Sequence, residues 1–241
     1  MGALLRWAEA DRATVRGVLA EALVLVPIGA TEQHGPHLPT GTDAFLAAAV
    51  CERAAELAAP EAERPLLLAP PIPYGASDHH LPFNGTLSLS AQTLLQVLDD
   101  LARSIAVQGG RRMVVVNGHG GNVGVCHAFA GAASTKHGLA VAHTDYWRVL
   151  EPEDIVPGHA GEFETSMMLT VHGELVREVT PRAAPQTERV SDVDIHSGQV
   201  WRSIDGYTDQ PGLATEAQGR GWFERIAGGL AERFVALAKV L

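Results

Sequence analysis

Short apolar runs at 22–28, 66–69, 112–116 and 139–144 alternate along the chain with helical patterns at about 43–58, 90–107 and 123–137. Parallel strands need long crossovers, and helices are the usual ones, so this alternation predicts a parallel sheet covered on both faces. The expected fold class is α/β, a three-layer α/β/α sandwich around a mostly parallel sheet. A further helix is predicted to begin near Gly161, and an amphipathic last helix to run over about 214–239. Between them, 179–215 is rich in Pro, Ser, Thr, Asp and Gly and too long for a simple connector. No repeat, low-complexity tract or linker divides the chain, so residues 1–241 read as a single domain long enough for a substantial core.

Charge and composition exclude several function classes. The net charge is −10 and the only basic cluster is Arg111-Arg112, which argues against a nucleic-acid partner. No run is apolar enough to span a bilayer, and no membrane partner is expected. The start, Met1-Gly2-Ala3-Leu4-Leu5-Arg6-Trp7, lacks the basic opening and apolar core of a signal peptide, so the expectation is a cytoplasmic protein. Cys51 and Cys126 fall inside predicted helices and read as small core residues.

Chemistry-bearing residues gather where strands end. Asn117-Gly118-His119-Gly120-Gly121-Asn122 follows an apolar run and precedes a helix, which puts His119 at the carboxyl end of a buried strand. Open α/β sheets keep their ligand sites there. Upstream, Glu32 and His34 follow another such run, and being two apart they share one side of an extended chain. Asp43 opens a predicted helix, where it can cap the first turn or turn toward the site. A third segment, His159-Ala160-Gly161-Glu162-Phe163-Glu164-Thr165-Ser166, brings paired carboxylates to a helix start. They can complement the helix dipole, but with a histidine so close they fit better as a metal ligand and an acid that orients one. Carboxylates and imidazoles from three strand ends suit two divalent cations bridged by a carboxylate and a water. With no cysteine among them, Zn, Mn or Fe(II) fits better than a thiolate-seeking metal.

Together these segments resemble the creatininase (creatinine amidohydrolase) family, in the subgroup with Gly-Gly in the Asn-Gly-His turn. The resemblance rests on Thr31 through Pro39 with Asp43; Tyr74-Gly75-Ala76-Ser77 with His80, Phe83, Gly85 and Thr86; the 117–122 turn; and the 159–166 segment. It extends from about residue 20 to the last helix. It implies a creatininase-like fold and two divalent ions per chain. Glu32 would bind one metal, His34 the other, Asp43 both, and His119 would complete the first. Creatininase places a glutamate two residues after the histidine of the turn, where this chain has Gly121; the resemblance gives that vacated place to Glu162. His159 would move the proton and Glu164 would support it. Ser77, His80, Gly120, Gly121 and Trp147 are expected to meet the substrate, and a homo-oligomer, plausibly a hexamer, follows from the family's habit.

The implied reaction is hydrolysis of an amide or formamide C–N bond, with a small-molecule or cyclic amide as the expected substrate. Creatinine itself fits poorly, because creatininase carries a flap tryptophan just before the His159 position. This chain has Asp154-Ile155-Val156-Pro157-Gly158 there. The family also holds a peptidase of mycofactocin precursors, which is the leading alternative, followed by a true creatininase, another metal-dependent reaction, and a non-catalytic metal binder. Of the remaining histidines, His37 reads as loop support, while His127, His137, His143 and His172 read as packing or surface residues; His79 is not expected at the substrate, and His196 has no assigned role.

Overall fold

The computed structural model describes residues 2–150, 157–185 and 197–241. Five parallel strands form one sheet: β1 (Leu4–Arg6), β2 (Leu23–Ile28), β3 (Leu66–Leu68), β4 (Arg112–Asn117) and β5 (Ala140–Asp145), in the order β1-β3-β2-β4-β5. β2, β3 and β4 are buried along their whole length, which is why the sequence shows them as continuous apolar runs rather than alternating ones.

Side-chain alternation along these strands feeds two separate cores. Leu23, Leu25, Val114 and Val116 face helices α2 (Thr42–Ala58), α5 (Glu162–His172) and α7 (Glu216–Val240). Val24, Val26, Met113 and Val115 face α1 (Arg12–Val18), α3 (Ala91–Val107) and α4 (Val123–His137). The predicted three-layer α/β/α sandwich is therefore present. Cys51 and Cys126 are buried, one in each core.

Two elements carry no sequence signal strong enough to be expected. β1 is a short edge strand that pairs with β3, and α1 buries a single residue, Val15. Elements that short lack a readable period. A third, α6 (Gly198–Ser203), lies inside the stretch expected to be irregular; His196 and 154–156 of the expected flap lie outside the described residues.

Topology creates the crevice. The chain leaves β2 through α2 on one face and returns to β3 on one side; it leaves β4 through α4 on the other face and continues to β5 on the opposite side. Connections diverging from neighbouring strands open a gap beyond their carboxyl ends. Two asparagines brace the loops around that gap. Asn117 accepts from the His119 amide at 3.0 Å and donates to the His119 carbonyl at 2.8 Å, folding the turn on itself. Asn122, fully buried, accepts from the Ala76 amide at 2.9 Å and donates to the Gly29 carbonyl at 3.0 Å.

Asn122→Ala should leave both of those backbone groups unpaired in the interior, at on the order of 1–3 kcal/mol each. Urea denaturation should show that loss at an unchanged m-value; a shift under about 0.5 kcal/mol, the level of an ordinary surface change, would show that the side chain braces nothing.

Candidate metal centre

The crevice at the ends of β2 and β4 holds a buried carboxylate–imidazole cluster. Asp43 is at its middle. It does not cap α2, whose N-cap is Gly41; its carboxylate turns inward instead. Oδ1 lies 3.2 Å from His34 Nε2, and Oδ2 lies 3.1 Å from His119 Nδ1. Each oxygen thus serves a different imidazole. Glu32 Oε1 sits 3.3 Å from His119 Nδ1 on one side, and Glu164 Oε2 sits 3.7 Å from His34 Nε2 on the other. The outer nitrogens are anchored: His34 Nδ1 is 3.1 Å from the Glu32 carbonyl, and His119 Nε2 is 3.2 Å from both Ser77 Oγ and the Ala76 carbonyl. A carbonyl only accepts, so each ring keeps one proton outward, and the inward nitrogens are the ones that would ligate a metal once they give up theirs.

Several inward oxygens have no hydrogen-bond partner: both carboxylate oxygens of Glu32 and Oδ2 of Asp43. The His119 contact to Asp43 Oδ2 is close without being aligned as a hydrogen bond. Buried carboxylates left in this state are costly unless a cation joins them. Glu32, His34 and Asp43 offer ligand atoms within 4.8 Å of one another, as do His34, His159 and Glu164. Hard oxygens mixed with imidazoles suit divalent Zn, Mn or Fe. The donor set fits a metal.

Electrostatics reflect the same frustration. Burial pushes the Glu32 carboxyl up to about 7, with Asp43 adding to the rise and His119 opposing it. Burial likewise raises Glu164 to about 8, against the pull of His34. For the two imidazoles burial works the other way, but the carboxylates outweigh it. Asp43, Glu164 and Glu32 carry His34 up to about 10, and Glu32 with Asp43 carries His119 up to about 9. Asp43 resists its own burial and stays well below the usual carboxylate range because of His34 and His119. His159 is held well below the usual imidazole value, first by burial, then by His34 and His80.

Of the expected ligands, Glu32, His34, Asp43 and His119 converge, while Glu162 does not. Its carboxylate accepts from Gln218 Nε2 at 2.9 Å, away from the cluster. Glu164 takes the inward place, buried, and also accepts from the Ala160 amide at 2.5 Å. The reason is helical geometry. α5 begins at Glu162, and residues two apart on a helix point to nearly opposite sides, whereas Glu32 and His34 on extended chain point to the same side. The vacated position at Gly121 is closed as well. A Cβ there would collide with the Ala76 carbonyl oxygen and the His119 ring.

The expected substrate contacts are also redistributed. A cavity of about 550 Å³ opens over the cluster, bordered by His80, Gly120, Gly121 and His159 as expected. Ser77 is fully buried beside His119 and supports that ring rather than the cavity wall. Trp147 packs edge-on against Tyr146 at 5.4 Å and joins the core beneath α7. The cavity tryptophan is Trp201 of α6, its ring 4.6 Å from His80 and 5.5 Å from His159. Neither it nor Gln33, which meets both of those histidines, was expected from the sequence. A large aromatic in a polar, Pro- and Gly-rich stretch was the available signal for Trp201, since such a stretch has no core face to bury it. His37 does act as loop support, 3.0 Å from Thr165 Oγ1, with burial and His34 lowering it to about 4.

Fold and site together define an α/β protein whose cavity sits over a carboxylate–imidazole cluster able to hold metal. The family profile for creatininase, described as creatinine amidohydrolase, matches residues 3–234; the chain belongs to the creatininase family. The match begins at β1, earlier than the motifs alone suggested. The mycofactocin precursor peptide peptidase of Mycolicibacterium smegmatis is 38% identical over 215 residues, covering 88% of this chain and 83% of that protein. The creatinine amidohydrolase of Pseudomonas putida is 32% identical over 201 residues, 71% of this chain and 72% of that one. A creatininase solved with Mn superposes with a TM-score of 0.80 at 26% identity, covering 95% of this chain and 96% of the other. A Zn–Zn form of a mutant creatininase gives 0.77 at 27% identity, with the same coverage.

Two expectations follow. Glu164→Gln should lose the ion held beside His34, while Glu162→Gln should keep full metal content and cost no more than the ~0.5–1.5 kcal/mol of one partly exposed hydrogen bond; elemental analysis and thermal unfolding read both, and metal loss in Glu162→Gln would reverse the assignment. Metal uptake must also displace protons from His34 and His119, whose values stand near 10 and 9. Apparent affinity should therefore climb as pH rises toward that range, with proton release visible by calorimetry in buffers of different ionisation heat. A flat profile would mean that these imidazoles are not ligands.

Proposed function

We propose that this chain is a two-metal hydrolase that cuts an amide bond of a short peptide. The observation that carries the reading is the two-sided cluster at the floor of an open cavity: each oxygen of Asp43 faces its own imidazole, and each imidazole has its own glutamate. Glu32, Asp43 and His119 would hold one ion, and His34, Asp43 and Glu164 the other. Bound there, two divalent ions supply an acidified water and positive charge for a carbonyl oxygen.

The peptide reading is favoured over a small cyclic amide on two grounds. The mycofactocin precursor peptidases align over more of this chain, and at higher identity, than the creatinine amidohydrolase does. A cavity of about 550 Å³ also exceeds what a creatinine-sized molecule would fill and suits a few residues of peptide. Its border includes Gly120, Gly121, Gly158 and Gly198, so a main chain can approach closely.

His159 handles the proton. Its Nε2 lies 2.9 Å from the backbone carbonyl of Gln33, so the hydrogen is there and the Nδ1 lone pair faces the site, 3.4 Å from Glu32 Oε1. Burial keeps the ring neutral and ready to accept. In hydrolysis the water oxygen bonds to the carbonyl carbon, the C–N bond breaks, and the leaving nitrogen must gain a proton. His159 Nδ1 is placed to collect a proton from the water and return it to that nitrogen.

Metal-loaded protein offered short peptides, formamidopyrimidines and creatinine should release peptide fragments detectable by mass spectrometry. His159→Ala should keep both metals and lose roughly 10²–10⁴-fold in turnover. Creatinine turnover with kcat/KM of ~10⁴ M⁻¹s⁻¹ or more, without peptide cleavage, would replace the peptide reading with the creatininase one.

A further inference from the structure

Gln33 sits in the chain between two members of the cluster, Glu32 and His34, and its side-chain amide is oriented by groups that cannot change roles. Oε1 accepts from the Gly35 amide at 3.0 Å, and Nε2 donates to the Gly206 carbonyl at 2.5 Å. A flipped amide would set oxygen against carbonyl oxygen and N–H against N–H, so the orientation is determined. Its second N–H then has His80 Nδ1 at 2.8 Å and His159 Nε2 at 3.1 Å to choose from; the His159 nitrogen carries its own hydrogen for the Gln33 carbonyl, which leaves His80 Nδ1 as the acceptor. That nitrogen must accept, so the ring is neutral with its proton on Nε2.

His80 Nε2 has a definite destination. The residue is 1% exposed, borders the cavity, and its Nε2 is buried without a hydrogen-bond partner, 3.6 Å from Glu32 Oε1. Gln33 also governs the neighbouring ring through its backbone carbonyl, which takes the Nε2 proton of His159. The two imidazoles stack, centroids 4.2 Å apart and 18° from parallel. One presents an N–H to the cavity and the other a lone pair. A metal-ligand role for His80, which its proximity to Glu32 and His159 would otherwise allow, requires a lone pair on Nε2 and is incompatible with this proton placement.

We propose that His80 Nε2–H is a catalytic hydrogen-bond donor to the carbonyl oxygen of the scissile amide, and that Gln33 is the positioning residue that holds it in the donating tautomer. The inference rests on the amide-hydrolysis reading above. A neutral donor is the suitable kind beside two cations, because it stabilises charge growing on the oxygen without adding a repelling positive charge of its own.

The test uses zinc-loaded, ¹⁵N-histidine-labelled protein, in which long-range ¹H–¹⁵N spectra assign each ring's tautomer. His80 should show a protonated Nε2 and a hydrogen-bond-accepting Nδ1. Gln33→Glu, whose carboxylate accepts from Nδ1–H, should reverse that tautomer. It should also lower kcat on the cleaved peptide about 10²–10³-fold, the usual worth of one oxyanion donor, with KM and zinc content close to wild type. His80→Ala should show a similar kcat loss, and His80→Gln, which returns an N–H near the Nε2 position, should recover part of it. A protonated Nδ1 in the wild type, a zinc-bound Nε2, or an unchanged kcat in His80→Ala would each overturn the proposal. The wild-type spectrum and the His80 pair decide the matter even if Gln33→Glu does not fold. Absence of any peptide turnover would sink the substrate reading, while the spectrum would still report the tautomer.

Discussion

The repulsion among three buried carboxylates organises this protein. Glu32, Asp43 and Glu164 are all nearly inaccessible to solvent, and both oxygens of Glu32 and Oδ2 of Asp43 lack hydrogen-bond partners. Charges of one sign brought together out of water must either bind protons or recruit cations. Both tendencies are visible in the elevated values of Glu32 and Glu164 and of the two imidazoles between them. Such a cluster costs stability and survives only on a scaffold that supplies the difference elsewhere, here in two apolar cores against a sheet buried on both faces.

The scaffold holds the cluster through close packing as much as through hydrogen bonds. Gly29, at the end of β2, has the first turn of α2 against it, so a Cβ there would meet the Asp43 and Ala44 backbone. Gly118 packs in the same way against Asp43 and Ala47. These contacts bring the ends of β2 and β4 so near to α2 that Asp43 can stand between His34 and His119. Asn117, Asn122 and the Gln33 amide then fix loop conformation and ring orientation by hydrogen bonds to backbone groups whose donor or acceptor role is set by their chemistry. Rigidity of this kind matters for a metal-dependent reaction, because misplacing a ligand or proton carrier by about 1 Å can cost about 10²-fold in rate.

Much of this was legible in the chain itself. Apolar runs with helical spacers can be satisfied by few arrangements, and strands buried on both faces announce themselves by unbroken hydrophobicity. Candidate ligands on extended chain were legible too: Glu32 and His34 project to one side because the strand period is two, and His119 on a glycine turn at a strand end has few other reasons to be there. The short β1 and α1 were not legible, since a three-residue strand and a seven-residue helix bury too little to leave a pattern.

Tertiary structure decided what depended on a boundary or on distant pairing. Whether Glu162 or Glu164 faces the cluster turns on the residue at which α5 begins, because a helix separates side chains two apart by more than half a turn. Which tryptophan meets the cavity turns on where α6 docks, and Trp201 reaches it across the fold while Trp147 enters the core. Gln33 acquires its role only because Gly206, far along the chain, brings a carbonyl to its amide. Sequence determined the layers of the fold and the kinds of candidate ligand at its strand ends, since those follow from local period and residue chemistry. Tertiary structure alone decided which carboxylate, which aromatic ring and which imidazole tautomer complete the site, since those follow from contacts between segments that no local pattern connects.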